Sequence, residues 1–169
     1  DARKGDVIIF SASTAEASPD QLKRKFSTEI GKRIPRDSFK NCLANAAQQF
    51  IVKKDKKAEI IAGFPWFGVW GRDTFISLPG LTLAIGDTAT CKSVLDTQIA
   101  KLKNGLFPNI GSDDNAAFNS VDAPLWFFWA LQQYAKAVKT YATIWRDYGN
   151  AMNAILRAYR SGTSFGISM

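Results

Sequence analysis

The most informative stretch of this 169-residue chain is Ala62-Gly-Phe-Pro-Trp-Phe-Gly-Val-Trp-Gly-Arg-Asp-Thr-Phe-Ile76. It places several large aromatic side chains beside one guanidinium and one carboxylate, with glycines at positions 63, 68 and 71 between them. Because glycine has no Cβ, a loop rich in glycine can bend sharply and turn bulky rings toward one point. The stretch therefore predicts a tightly folded loop that gathers aromatic and charged groups.

The carboxylate of Asp73 lies where this loop gives way to an apolar run. The run Thr74-Phe-Ile-Ser-Leu78 predicts a helix, so Asp73 falls at or near the helix N-terminus. A carboxylate there accepts hydrogen bonds from free backbone amides and is favoured by the helix dipole. We therefore expect Asp73 to stay ionised, which suits an acceptor of hydrogen bonds and does not suit a general acid.

Aromatic rings beside a planar arginine and an ionised aspartate are typical of a sugar-binding site. The C–H faces of a pyranose stack on aromatic rings, and its hydroxyls bind charged groups whose shape fixes their direction. The alternative is an N-capping aspartate surrounded by a few core aromatics. These residues alone do not separate the two interpretations.

Residues Gly63–Leu81 resemble the signature of the glycogen debranching enzyme family, in its amylo-α-1,6-glucosidase domain. Two further segments agree with this family. Gly105-Leu-Phe-Pro-Asn-Ile110 is similar to the family's Gly-Leu-Ile-Pro-Asn. Phe118-Asn-Ser-Val-Asp-Ala-Pro-Leu-Trp-Phe-Phe128 is similar to its Tyr-Asn-Thr-Val-Asp-Ala-Ser-Leu-Trp-Phe. The three motifs occur in the family's order, and the resemblance covers roughly residues 45 to 135.

The resemblance implies a pocket for the glucose at the non-reducing end of a glucan, in which Arg72 and Asp73 hold the sugar hydroxyls. The aromatic side chains implied to form its wall are Trp66, Phe67 and Trp70. The residues similar in position to others that line the same pocket are Asn109, Asn119, Asp122 and Trp126. Since Ala-Pro follows Asp122, this residue is also a good helix N-cap, and the two roles are compatible.

Glycoside hydrolysis needs two carboxylates on opposite sides of the scissile bond. We do not assign this role to Asp73 and Asp122, because a helix N-terminus favours the ionised form whereas a general acid must start protonated. The resemblance implies that the general acid lies in a Trp-Met-Asp segment, which does not occur here, and that the general base lies further on. We expect both beyond Met169, so we assign no catalytic residue and expect this chain alone to be inactive.

Periodicity predicts a mostly α protein, because helix-loop-helix pairs follow one another without an alternating strand pattern. The resemblance implies an (α/α)6 toroid, the six-hairpin glycosidase fold, and so we expect residues 18–169 to be the N-terminal half of a truncated glucosidase domain. Asp6-Val-Ile-Ile-Phe10 predicts a short N-terminal β-strand. We therefore expect residues 1–17 to be this strand and a linker, and the resemblance implies that they form the end of a preceding β-sandwich domain.

Local patterns predict four further elements. The segment Glu59-Ile-Ile-Ala62 predicts a short extended run. The helix that starts near Asp73 is predicted to run to Gly86, with a kink or an interruption at Pro79. Two more helices are predicted at residues 88–102 and residues 141–159.

Composition excludes several classes of function. The chain has no histidine, which rules out Ser-His-Asp and Cys-His catalysis within it and zinc sites that use histidine. The formal charge is +7, but the lysine and arginine clusters at residues 23–33 and 53–57 do not interleave with the aromatics. We therefore interpret them as solvated faces and expect no nucleic-acid partner. Cys42 and Cys91 show no motif spacing and are interpreted as buried free thiols, with a disulfide between them as the less favoured alternative.

Our first interpretation is a piece of a debranching glucosidase that hydrolyses α-1,6 branch points of glycogen, limit dextrin or similar α-glucans with inversion. The alternatives are a glucoamylase-like or trehalase-like glycosidase on the same barrel, and a non-catalytic carbohydrate-binding module. We expect no cofactor, no metal and no membrane partner, and a cytoplasmic location because no signal peptide or membrane span is present. A half-barrel would expose apolar faces, which predicts self-association or packing against the rest of the barrel.

Overall fold

The computed structural model describes residues 3–13, 15–111, 115–164 and 166–168. The chain divides into two compact units, residues 1–45 and 46–169. The domain boundary predicted after residue 17 stays a prediction. The assignment of residues 1–17 to the end of a preceding domain stays a prediction.

The first unit contains helices and no sheet within its described residues. A 3-10 turn at Pro19–Gln21 leads into α1 (Leu22–Gly31), and α2 (Phe39–Gln48) begins in this unit and ends in the second. The predicted N-terminal strand at residues 6–10 is wrong, because these residues have no strand conformation. Instead the Asp6 amide donates to the Arg3 carbonyl at 3.0 Å, which closes a turn. A β-rich run forms a strand only when a neighbouring strand pairs with it, and none does so among the described residues.

The second unit opens with a small antiparallel sheet that the sequence pattern did not predict. Its strands are β1 (Ile51–Lys54), β2 (Lys57–Gly63) and β3 (Phe67–Val69), in that order. The predicted extended run Glu59–Ala62 is confirmed as part of β2. Asp55 and Lys56 have φ angles of 48° and 67° and form the two-residue turn that joins β1 to β2.

Helices make up most of the described chain, which confirms the predicted mostly α class; the toroid stays a prediction. The helices of the second unit are α3 (Gly71–Leu81), α4 (Thr88–Ile99), α5 (Ala123–Val138) and α6 (Tyr141–Ser161). α4 and α6 match the predicted helices at 88–102 and 141–159 closely. None of the helices in the described part of the chain is both long enough and apolar enough to cross a bilayer.

The helix that carries Asp73 is interrupted soon after Pro79, as predicted. α3 ends at Leu81, and a separate 3-10 turn follows at Leu83–Ile85 before Gly86, whose φ of 79° is left-handed. Proline has no amide hydrogen and therefore removes one hydrogen bond from the last turn of α3. The helix does not run on continuously to Gly86, and the polypeptide turns there into α4.

Three phenylalanine rings form the centre of the second unit, and we call them the phenylalanine cluster. They are Phe75 on α3, Phe107 in the loop after α4 and Phe127 on α5, and all three are fully buried. Their ring centroids lie 4.8 to 5.5 Å apart, in edge-on and tilted contacts. Burying one such side chain stabilises a fold by about 1.5–3 kcal/mol. The cluster therefore holds together three segments that are distant in sequence.

The two cysteines are both free, but only Cys91 is buried. Burial raises the pKa of the Cys91 thiol to about 11. Since only the thiolate is nucleophilic, we expect iodoacetamide to alkylate Cys42 at least about 100-fold faster than Cys91 in the folded protein. Mass spectrometry of the two cysteine-containing peptides measures both rates. Equal rates before unfolding would contradict the burial of Cys91, and equal rates in denaturant are the control.

Candidate functional site

The first part of the site is the start of α3. Trp70 is extended and occupies the N-cap position, and its carbonyl accepts hydrogen bonds from the amide and the hydroxyl of Thr74. Arg72 and Asp73 follow in the first turn, which confirms the predicted place of Asp73 near a helix N-terminus. A negative side chain in the first turn is favoured by the helix dipole. The helix makes no side-chain cap hydrogen bond at its N-cap.

The second part is the loop at Phe107-Pro-Asn109, which lies directly against the start of α3. The amide of Gly71 donates to the carbonyl of Asn109 at 3.1 Å. A Cβ on Gly71 would lie 2.3 Å from the carbonyl oxygen of Pro108, so only glycine fits at this position. The Asn109 side chain is buried, and its Oδ1 accepts no hydrogen bond from the described residues. A buried acceptor without a partner is uncommon in folded proteins, which makes Asn109 a candidate position for a bound water or a ligand hydroxyl.

The third part is the loop at residues 119–122, which leads into α5. Asp122 occupies the N-cap position of this helix, but its carboxylate makes no cap hydrogen bond. Instead the Ser120 hydroxyl donates to Asp122 Oδ1 at 2.7 Å, and the Trp126 indole N–H donates to Oδ2 at 3.2 Å. The carboxylate is thus held by side chains, and Asn119 beside it is exposed.

Asp122 and Arg72 bring the first and third parts together. Arg72 Nη1 lies 3.7 Å from Asp122 Oδ1, and their side chains are 46% and 39% exposed. An ion pair as exposed as this contributes at most about 1 kcal/mol to stability, so its effect is mainly on orientation. The hydrogen bond from Ser120, then that from Trp126 and the charge of Arg72, hold the pKa of Asp122 below its usual range. Asp122 is therefore an ionised acceptor at neutral pH.

Arg72 and Asp73 follow each other in the first turn of α3, and their predicted joint role in holding sugar hydroxyls stays a prediction. Successive residues of a helix point about 100° apart, so the Asp73 side chain leaves α3 in a different direction from that of Arg72. Asp73 lines an apolar cleft of about 280 Å³ between β2 and α3, beside Ile61 and Ser77. Within the described residues Asp73 has no ion pair with Arg72. The two side chains therefore reach different parts of the surface around the start of α3.

The predicted aromatic wall lies on the turn between β2 and β3 and immediately after it. Trp66 is 85% exposed and Phe67 is 56% exposed, and Phe64 beside them is also exposed. The peptide bond between Phe64 and Pro65 is cis. Trp70 is half-buried, close to the first turn of α3. The turn therefore presents an aromatic edge to solvent, separate from the buried phenylalanine cluster.

Trp126 is the aromatic side chain that is hydrogen-bonded to Asp122, the partner of Arg72. It is half-buried on the first turn of α5, and its ring meets that of Trp129 at 90°, with centroids 5.6 Å apart. Because its N–H is bonded to Asp122, the orientation of the indole is fixed. The structure thus brings Arg72, Asp122 and Trp126 together, with Asn109 behind Gly71.

Sequence reasoning missed Ser120 as a member of the site. Its hydroxyl is buried and makes the shortest of the hydrogen bonds to Asp122. A signal was present, because Ser120 lies inside the third motif and two residues before Asp122. Serine at that spacing often bonds a neighbouring polar group in a loop that precedes a helix.

Comparisons with known proteins agree with these motifs. The sequence profile of the amylo-alpha-1,6-glucosidase family matches residues 45–169. The glycogen debranching enzyme of Saccharomyces cerevisiae is 35% identical over 142 residues, which cover 79% of this chain and 8% of the yeast protein. The chain therefore spans only a small part of the length of this relative. Since the profile covers most of the chain, this protein belongs to the amylo-alpha-1,6-glucosidase family.

Proposed function

We propose that this chain is the sugar-holding part of a glucosidase that hydrolyses α-1,6 branch points in glycogen-like glucans with inversion. The observation that carries the proposal is the grouping of Arg72, Asp122 and Trp126. A guanidinium donates hydrogen bonds in a fixed plane, an ionised carboxylate accepts them, and an indole offers an apolar face for the pyranose ring. Membership of the family, together with the name of the yeast relative, supports the choice of substrate.

Asp73 has a separate part in the proposal. We propose that it binds a second set of hydroxyls on the same terminal glucose or on the next unit, from the side of α3 that faces β2. Its exposure leaves the carboxylate open to a ligand, and the exposed Trp66 and Phe67 are the aromatic side chains proposed to contact the same sugar. Asn109 and Asn119 complete the proposed set of polar contacts.

The chemical step is assigned to residues outside this set. A general acid must be protonated before it reacts, and the lowered pKa of Asp122 makes that carboxylate unsuited to the role. We propose that the two catalytic carboxylates come from a part of the complete protein that this chain does not include. We also propose that α3 to α6 belong to an (α/α)6 toroid, as the family resemblance implies.

The test uses the complete protein that carries this chain, with glucose release from limit dextrin as the assay. We expect Asp73→Asn to lower kcat/KM by about 10- to 100-fold, because a hydrogen bond to a charged acceptor contributes about 1.5–3 kcal/mol. The matched control is Asp55→Asn, the same change in the exposed β1–β2 turn, where asparagine also tolerates a left-handed φ. Unchanged turnover in Asp73→Asn would remove the proposed role of Asp73.

The same assay separates the alternatives. Comparing α-1,6, α-1,4 and α,α-1,1 substrates distinguishes a debranching glucosidase from a glucoamylase-like or trehalase-like enzyme. A non-catalytic carbohydrate-binding module is favoured by the exposed aromatic edge at Trp66 and Phe67 alone. It would bind glucan in a pull-down experiment while the complete protein released no glucose.

A further inference from the structure

The carboxylate of Asp122 is oriented from two sides. Ser120 donates to Oδ1, which is also the oxygen that faces Arg72, and Trp126 donates to Oδ2. With one donor on each oxygen, the plane of the carboxylate is fixed relative to the start of α3. Of the two hydrogen bonds, the one from Ser120 is shorter, and its donor is buried whereas Asp122 is half-exposed.

Ser120 is itself held in place by α6. The hydroxyl of Tyr159 donates to the carbonyl of Val121, the residue between Ser120 and Asp122. Tyr159 is buried on α6, so it ties the 119–122 loop to a helix of the core. Ser120 is therefore a buried donor on an anchored loop rather than a surface hydroxyl. In this way α6 fixes the position of the loop, and the loop fixes the orientation of the Asp122 carboxylate.

We propose, on the basis of the proposed function, that Ser120 is a positioning residue for sugar binding. Its buried hydroxyl holds the Asp122 carboxylate in the one orientation in which Oδ1 keeps the Arg72 guanidinium directed at the substrate. Ser120 need not touch the sugar, since it acts through Asp122. Its removal should weaken the binding of glucan and leave the chemical step unchanged, because Ser120 affects the sugar only through the orientation of Asp122 and Arg72.

The pH dependence of binding provides an independent readout. Ser120 is the strongest influence that lowers the pKa of Asp122, so its loss moves that pKa upward toward the usual aspartate value. The other groups that face Asp122 are Arg72 from α3, Trp126 from α5 and Tyr159 from α6, and of these only Arg72 is charged at neutral pH. As pH falls, Asp122 therefore becomes protonated at a higher pH in a variant without the Ser120 hydroxyl than in the wild type. The ion pair with Arg72 is then lost at a higher pH as well.

The experiment measures kcat and KM of the complete protein on limit dextrin for Ser120→Ala and Ser120→Thr. We expect Ser120→Ala to raise KM by about tenfold with kcat changed less than about twofold, and the rise in KM to be larger at about pH 4 than at pH 7. Ser120→Thr keeps the hydroxyl and should restore the wild-type KM to within about twofold. The matched control is Ser93→Ala, which removes a hydroxyl bonded to the Lys56 carbonyl, outside the site.

Three outcomes would overturn the role of Ser120. They are an unchanged KM in Ser120→Ala, an equal rise of KM in Ser120→Thr, and a rise in KM that does not depend on pH. If any of these occurs while the wild-type protein releases glucose and Arg72→Ala is impaired, the role of Ser120 fails alone. If the wild-type protein neither binds nor cleaves dextrin, the proposed function fails and the role of Ser120 fails with it.

Discussion

Replacing Arg72 with alanine is expected to lower kcat/KM of the complete protein for limit dextrin by about 100- to 10,000-fold. The guanidinium supplies two directed donors, and each hydrogen bond to a charged group contributes about 1.5–3 kcal/mol. The variant also leaves the ionised Asp122 without its cationic partner. A bound sugar would then cover a carboxylate whose negative charge is not compensated, which weakens binding further. Steady-state kinetics on limit dextrin measure the loss, which should appear mainly in KM.

Two further arginine variants make this result interpretable. Arg72→Lys keeps the charge but not the planar fork, so its kcat/KM should fall between that of alanine and that of the wild type. Arg157→Ala removes an exposed arginine on α6 and should change kcat/KM by less than about twofold. If Arg72→Ala retained full activity, the proposed sugar contact of the guanidinium would be refuted.

Replacing Gly71 with alanine is expected to disrupt the start of α3. The new Cβ would lie 2.3 Å from the Pro108 carbonyl oxygen and 3.3 Å from its carbon, and both are backbone atoms that no side-chain rotation can move. The loop must shift, which also breaks the hydrogen bond from the Gly71 amide to the Asn109 carbonyl. Overpacking and the lost bond together cost about 2–4 kcal/mol.

Amide hydrogen exchange of residues 70–81 in the complete protein measures this cost without an activity assay. A local loss of about 2–4 kcal/mol corresponds to exchange that is about 30- to 1,000-fold faster. Gly80→Ala is the control within the same helix, because a Cβ there meets no atom within 4 Å and alanine favours the helix. If Gly71→Ala exchanged as slowly as Gly80→Ala, the close approach to Pro108 would be contradicted.

The helices of the second unit were largely predictable, whereas the sheet was not. α5 and α6 combine long apolar periodicity with clear end signals, such as Pro124 in the first turn of α5. The strand β1 has the sequence Ile-Val-Lys-Lys, which shows no alternation of apolar and polar residues from which a strand could be predicted. Its pairing with β2 depends on the left-handed turn at Asp55 and Lys56, where neither residue is a glycine or an asparagine. The reverse error at residues 6–10 has the same cause, since strand formation depends on a partner.

The site was predictable in its membership but not in its arrangement. The three motifs contain every residue that the structure brings together, yet the pairing of Arg72 with Asp122 joins positions 50 residues apart. The family resemblance implied a joint role for Arg72 and Asp73, whereas the ion pair of Arg72 with Asp122 was not predicted. The N-cap signal at Asp122 likewise located the helix start and not the direction of the carboxylate. Side-chain partners depend on tertiary packing, which a local pattern does not contain.

The links between the three parts of the site have a consequence for how this protein can diversify. The amide of Gly71 donates to the Asn109 carbonyl, and the amide of Asn109 donates to the carbonyl of Ala117, two residues before the third part, so these two connections are made by main-chain atoms. The phenylalanine cluster, which also supports these segments, is fully buried and has no side chain at the protein surface. Exposed neighbours such as Ile110 and Val121 can therefore be exchanged by mutation without loosening the frame. Substitutions at such positions therefore change the surface of the site and leave the frame that holds its three parts unchanged.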